Sequence, residues 1–199
     1  MSGYHSLTDY FIPSHYELTL DLVDIASAKR VSGHVTITGE QIDHGEIRLH
    51  AVDLDDITVT IDGQACEINY DGHELIIMHQ GQGIISLKVA YSFALSNTMH
   101  GLYPSFYTFD GELKQLYATQ FESHHAREVF PCVDEPAAKA TFDLVLVTQP
   151  HLTVLANTPA RATEPDDHQR TTYFETSPRM STYLLALVVG ELQSKSVTT

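Results

Sequence analysis

Apolar residues recur at every second position along most of this chain, a period that suits a two-faced β-strand and defeats a helix. Tyr16, Leu18, Leu20 and Leu22 alternate with Glu17, Thr19 and Asp21. Val31, Gly33, Val35 and Ile37 do the same against Ser32, His34, Thr36 and Thr38. Ile57, Val59 and Ile61 alternate with threonines and run into an Asp62-Gly63 turn, and Asp71-Gly72 precedes the apolar run Leu75 to Met78. Ile85, Leu87, Val89 and Tyr91 form another set, as do Phe142, Leu144 and Leu146. Val154 with Ala156, Tyr173-Phe174-Glu175 and the run Tyr183 to Val189 read as further strands. Such alternation, broken by hairpin turns, is the pattern of antiparallel sheet with one buried face. The best helical candidate, Ala126 to Ala140, contains Pro131 and Pro136, so it can form single turns only. The expectation is all-β: one domain over residues 1–199 of strongly twisted antiparallel or mixed sheets, sandwich-like. A long irregular segment is expected near 92–140, its first part loop-rich and aromatic.

At 199 residues a compact fold buries roughly 70% of the unfolded chain's surface, so the core needs no staples. The formal charge of −15 argues against nucleic acid, whose phosphates select basic surfaces, and suits a cationic ligand such as a peptide's terminal ammonium. Cys66 and Cys132 lie far apart in sequence and read as reduced, packed thiols. The N-terminus has neither a basic stretch nor an apolar one, so a cytoplasmic location is expected. The longest apolar run, Tyr183 to Val189, is far too short to span a bilayer, and no membrane partner is expected.

Residues 119–142 break the alternation. They are polar, charged and interrupted by proline, the profile of a segment held in place to present side chains. The stretch contains Gln120-Phe121-Glu122, Ala126-Arg127, Phe130-Pro131-Cys132, Asp134-Glu135-Pro136 and Lys139-Ala140-Thr141-Phe142. In that order and spacing it resembles the signature of the aminopeptidase N family of zinc aminopeptidases. Tyr16 to Asp21 is similar to the family's opening strand, Gly101-Leu102-Tyr103 with Ser105 and Tyr107 to the segment before the signature, and Met180 to Ala186 to the strand closing its N-terminal domain. The family's Gly-x-Met-Glu-Asn and H-E-x-x-H motifs do not occur here, so the expectation is an N-terminal domain without its catalytic domain. The chain departs from the pattern at Ser123-His124-His125, where Pro-Thr-Asp is usual, and at Glu128, where a second basic residue often follows.

The resemblance implies that Glu122 binds the substrate's α-ammonium by a charge-assisted hydrogen bond and that Gln120 lines the pocket for the first side chain. It implies zinc in the full-length enzyme, held by the missing region together with its activated water and general base. This chain alone is then a half-site with no catalytic residue, no metal and no cofactor of its own. Its expected partners are peptide N-termini and the missing catalytic domain. Arg127, Asp134 and Glu135 read as loop-fixing ion pairs and backbone contacts rather than substrate contacts. The competing reading is a non-catalytic β-sandwich scaffold or adaptor from the same family, against which the presence of both Gln120 and Glu122 argues.

Twelve histidines raise the question of a metal. His73 and His79 flank a run that reads as a strand, where residues six apart lie roughly 20 Å from each other, too far to share an ion. The adjacent His124 and His125 are expected to diverge. Neither Asp-Gly turn has calcium-loop spacing, and no nucleophile motif, P-loop or dinucleotide fingerprint occurs. Leu102, Tyr103, Phe106, Tyr107, Phe109 and Phe121 are expected to form a bare apolar face giving weak, salt-promoted self-association, with a mobile stretch at 123–128.

Overall fold

The computed structural model describes residues 6–43 and 45–194. In chain order the strands are β1 (Phe11–Asp21), β2 (Arg30–Gln41), β3 (Glu46–His50), β4 (Leu54–Ile61), β5 (Gln64–Ala65), β6 (Ile68–Tyr70), β7 (Glu74–Met78) and β8 (Gly83–Ala94). There follow β9 (Gly101–Phe109), β10 (Glu112–Gln120), β11 (Thr141–Thr148), β12 (Thr153–Ala156), β13 (Ala160–Pro165), β14 (Arg170–Phe174) and β15 (Leu187–Gly190). Helix is confined to single turns such as Ile25–Ala28 and Ala126–Glu128. The all-β expectation holds.

The period-two sets assemble by register. Tyr16, Leu18 and Leu20 of β1 stand opposite Ile37, Val35 and Gly33 of β2, which stand opposite Leu87, Val89 and Tyr91 of β8. On the other side β1 pairs in parallel with β11, matching the same three residues to Phe142, Leu144 and Leu146. These strands are the centre of an eight-stranded sheet ordered β13-β14-β11-β1-β2-β8-β4-β5. Two smaller sheets, β12-β15-β10-β9 and β3-β7-β6, complete the fold. Their buried residues, Leu102, Tyr117, Leu187 and Val189 from one and Ile47, Leu49, Leu75 and Ile77 from the other, join those of the large sheet in one continuous core. Register carries this arrangement because a slip of one residue would turn every one of these side chains to the opposite face.

Two expectations are corrected. The irregular stretch is shorter than 92–140, because residues 101–120 are the hairpin β9–β10, closed by Asp110-Gly111 with φ of 51° and 80°. Positive φ at both positions is the primed two-residue turn that Asp-Gly favours, and its twist matches the paired strands. The run Tyr183 to Val189 is not one strand either: Thr182–Leu184 is a 3-10 turn and only its end belongs to β15. Ser181 and Thr182 bond the Pro136 carbonyl and the Asp134 carboxylate through their hydroxyls, and these contacts fold the chain before the strand begins.

Both cysteines are free thiols, Cys132 buried and Cys66 partly so. Among the described residues no helix is long and apolar enough to cross a membrane, which says nothing of strands.

Candidate functional site

Beyond β10 the chain leaves the sheet without leaving the core. Phe121 is 3% exposed and Phe130 is fully buried. Phe130 packs edge-on against Phe121, Tyr16 and Phe142 at centroid distances of 6.2, 6.0 and 6.5 Å, and Tyr16 stacks on Phe142 at 4.9 Å. Residues 121–140 thus hang from an aromatic cluster rooted in β1 and β11. Such edge and offset contacts add about 0.5–1.5 kcal/mol per pair beyond burial.

With no ladder to satisfy the backbone here, side chains and isolated bridges take over. His50 and Cys132 exchange both backbone hydrogen bonds, at 2.8 and 3.0 Å, and Ala140 does the same with Met180. The Tyr16 hydroxyl accepts from the Val133 N–H at 3.2 Å. Arg127 donates through Nε to the Asp134 carboxylate at 3.0 Å and through a terminal nitrogen to the Asp134 carbonyl at 2.8 Å. Thr182 donates to the other oxygen of that carboxylate. Glu135 accepts from the Leu7 N–H and the Ser6 hydroxyl. Arg127, Asp134 and Glu135 are therefore engaged in internal contacts, in line with the loop-fixing reading.

His50 illustrates how the environment sets chemistry here. Burial, reinforced by the Arg127 charge, pulls its pKa down to about 4 against the smaller opposing effect of Asp134 and Glu135. Its Nδ1 accepts from the Asp134 N–H at 3.1 Å, which requires the neutral ring. Burial likewise pushes the Cys132 thiol well up, so it is inert packing rather than a nucleophile.

Gln120 and Glu122 stand out against this background. Both are exposed, on either side of the buried Phe121, so the alternation of β10 carries one step past its end and puts both side chains at the surface. Gln120 is paired with Gly101 in the hairpin register. The peptide between Glu122 and Ser123 is cis. Four carboxylates lie on residues 121–140, and three of them are committed: Glu128 to His125, Asp134 to Arg127 and Thr182, Glu135 to Ser6 and Leu7. Among the described residues Glu122 alone of the four makes no hydrogen bond or ion pair. A carboxylate held out on a rigid backbone and left unpartnered can receive an ammonium group without first breaking another bond.

Sequence reasoning missed the grouping beside these residues. His124 and His125 do not diverge; their rings lie 4.7 Å apart at 25°, and His100 stacks on the far side of His125 at 3.9 Å and 9°. His125 Nδ1 also lies 2.6 Å from the Glu128 carboxylate. The departures from the family pattern at His125 and Glu128 were the available signal. What brings His100 to them is the turn back from β8, which no local pattern reports. Within stretch 123–128 the His125 N–H bonds the Phe121 carbonyl and the Arg127 carbonyl accepts from the Val52 N–H, both at 2.9 Å.

The other histidine expectation stands. β7 occupies the stretch between His73 and His79, and His79 hydrogen-bonds Gln41. Among the described residues no group of three or more His, Cys, Asp or Glu is gathered closely enough to hold a metal ion. The described residues thus do not fit a zinc ion. The aromatic face is smaller than expected, because Leu102 and Phe121 are buried while Phe106 and Phe109 are exposed.

Residues 12–184 match the model of the peptidase M1 N-terminal domain. The chain is 42% identical over 194 residues to an aminopeptidase N of Lactococcus lactis subsp. lactis, covering 95% of this chain and 22% of that protein. It is 44% identical over 188 residues to the aminopeptidase N of Lactobacillus delbrueckii subsp. lactis, covering 92% and 22% respectively. A rice protein, aminopeptidase M1-C, is 35% identical over 149 residues, 75% of this chain and 16% of its own length. The chain therefore spans less than a quarter of the length of the relatives it matches.

Proposed function

The chain belongs to the peptidase M1 N-terminal domain family, and on that premise we propose that it forms the amine-anchoring wall of an aminopeptidase's substrate site. Glu122 takes the α-ammonium of a peptide and Gln120 lines the space for its first side chain. Once another part of the enzyme covers this exposed carboxylate, a substrate without the free amine would leave its charge unpaired out of water, which disfavours internal peptide bonds. The bond-breaking machinery belongs to the remainder of the full-length protein, including the zinc and its water, which supplies the nucleophile in this class of chemistry. On this reading the 199-residue chain is inactive by itself and takes up no stoichiometric zinc.

One observation carries the proposal. Of the four carboxylates on the irregular segment, Glu122 is the one free of internal partners among the described residues, and it sits exposed beside Gln120. The test is Glu122→Gln in the full-length protein, which keeps side-chain volume and removes the charge. Losing a charge-assisted hydrogen bond costs about 1.5–3 kcal/mol, roughly a ten- to hundredfold fall in kcat/KM on aminoacyl arylamides. Kinetics equal to wild type would remove the assignment.

A further inference from the structure

The stacked histidines are tied to the Gln120–Glu122 unit through the backbone at Phe121 and at Gly101. His125 donates its backbone N–H to the carbonyl of Phe121, the residue between the two exposed side chains. Its ring lies flat on His100, and the next residue, Gly101, is the β9 partner of Gln120. The Glu128 carboxylate closes the loop. One oxygen lies 2.6 Å from His125 Nδ1, while the other lies 2.9 Å from where a Cβ at position 101 would be. With φ of +63° as well, position 101 favours glycine, and that absence of a side chain leaves room for Glu128 between the hairpin and the signature segment.

We propose that His125 and Glu128 are positioning residues that hold Gln120 and Glu122 in place, and that the His100–His125 stack makes this hold respond to pH. A proton on His125 turns its hydrogen bond with the Glu128 carboxylate into an ion pair and tightens the bracket. A second proton on His100 puts like charges 3.9 Å apart in parallel rings, which loosens it. The titratable groups in contact with His125 are Glu128, His100 from the β8–β9 connection and His124 from its own loop. Asp53 shares with Glu128 a cavity of about 340 Å³ behind the bracket. Arg127 is turned away onto Asp134 and does not compete for Glu128.

The inference rests on Glu122 and Gln120 being the site, yet it is tested without catalysis, by NMR of the 199-residue chain across the histidine range, about pH 5 to 8. The expected result is that the ring signals of His100 and His125 and the amides of Gln120, Phe121 and Glu122 shift together across this range. Glu128→Gln should abolish that amide response. The double variant His125→Asp with Glu128→Arg should restore a fixed pair, with amide positions at 120–122 near those of wild type and no longer moving over this range. Amides at 120–122 that do not follow the rings, or that respond unchanged in Glu128→Gln, would overturn the proposal. Should Glu128→Gln not fold, the double variant's pH response decides the matter. Wild-type kinetics for Glu122→Gln would sink the anchor while leaving the link between rings and amides intact, so the two failures are told apart.

Discussion

Two stretches that meet at Gln120 solve the same problem in opposite ways. The β9–β10 hairpin satisfies its backbone through nine paired positions, yet Phe106 and Phe109 of one strand and Leu113 of the other are exposed. Residues 121–140 have no ladder, yet Val129 to Glu135 are buried without a break. Regular backbone and burial are thus separable. A hairpin needs little from other side chains, because its inward N–H and C=O groups pair across the two strands, the other edge of β10 pairs with β15, and β9 is the edge strand. An irregular segment is buried only where side chains from elsewhere meet its polar groups, as Tyr16, His50 and Thr182 do here. The exposed hairpin is tolerant and the buried segment brittle, and the candidate site, Gln120 with Glu122, sits at their junction.

The largest expected difference comes from the aromatic cluster. Phe130→Ala should cost about 3–5 kcal/mol by removing a fully buried ring, whereas Phe106→Ala, at 59% exposure, should stay within about 0.5 kcal/mol. Urea unfolding of both variants reads this directly, and similar midpoints would erase the contrast. Next is Asp134→Asn, which removes the charge facing Arg127 in a carboxylate only 1% exposed. A loss of about 2–3 kcal/mol is expected. Its hairpin counterpart, Glu191→Gln, releases Lys114 in an exposed pair and should leave the unfolding midpoint where it was.

Acid should strain the same buried side. His50 has its pKa lowered to about 4 in the folded chain, while the unfolded chain binds the proton near the ordinary 6.5. Between those values the unfolded state holds more protons, so stability is full above about pH 6.5 and falls as pH drops toward 4. The loss attributable to this half-buried ring is about 2 kcal/mol once solvent screening is allowed for. His50→Gln should flatten that part of the pH–stability curve, and an unchanged slope would assign the acid sensitivity elsewhere. The smallest effect belongs to the hairpin. Its bare Phe106, Phe109 and Leu113 should give weak self-association that strengthens as salt screens the −15 charge, and sedimentation at low and high salt would detect it. A strict monomer at both would show the patch to be inert.

Much of the architecture could be read from the chain because strand burial follows a two-residue period that composition writes directly. Tyr16, Leu18 and Leu20, or Leu87 and Val89, declare their face without reference to anything else. The β9–β10 hairpin escaped because its aromatics and Pro104 occupy both faces and blur the alternation, leaving Asp110-Gly111 as the one legible mark. The seven-residue run from Tyr183 misled for a related reason: a continuous apolar stretch has no period to read, and the hydroxyls that bend it answer to Asp134 and Pro136, more than 40 positions away.

The site divides along the same line. Gln120 and Glu122 were legible as a spaced motif, and the phase of β10 carries them both to the surface around a buried Phe121. That Glu122 is unpartnered among the described residues while Glu128, Asp134 and Glu135 are engaged could not be read from residue types, since all four are the same functional group. Nor could the stack of His100 on His125, which depends on how the chain turns between β8 and β9. Local patterning determines which way a side chain faces. Which other side chain it finds there is decided by long-range packing, because hydrogen bonds and ring contacts are fixed by distance in space and are indifferent to distance along the chain.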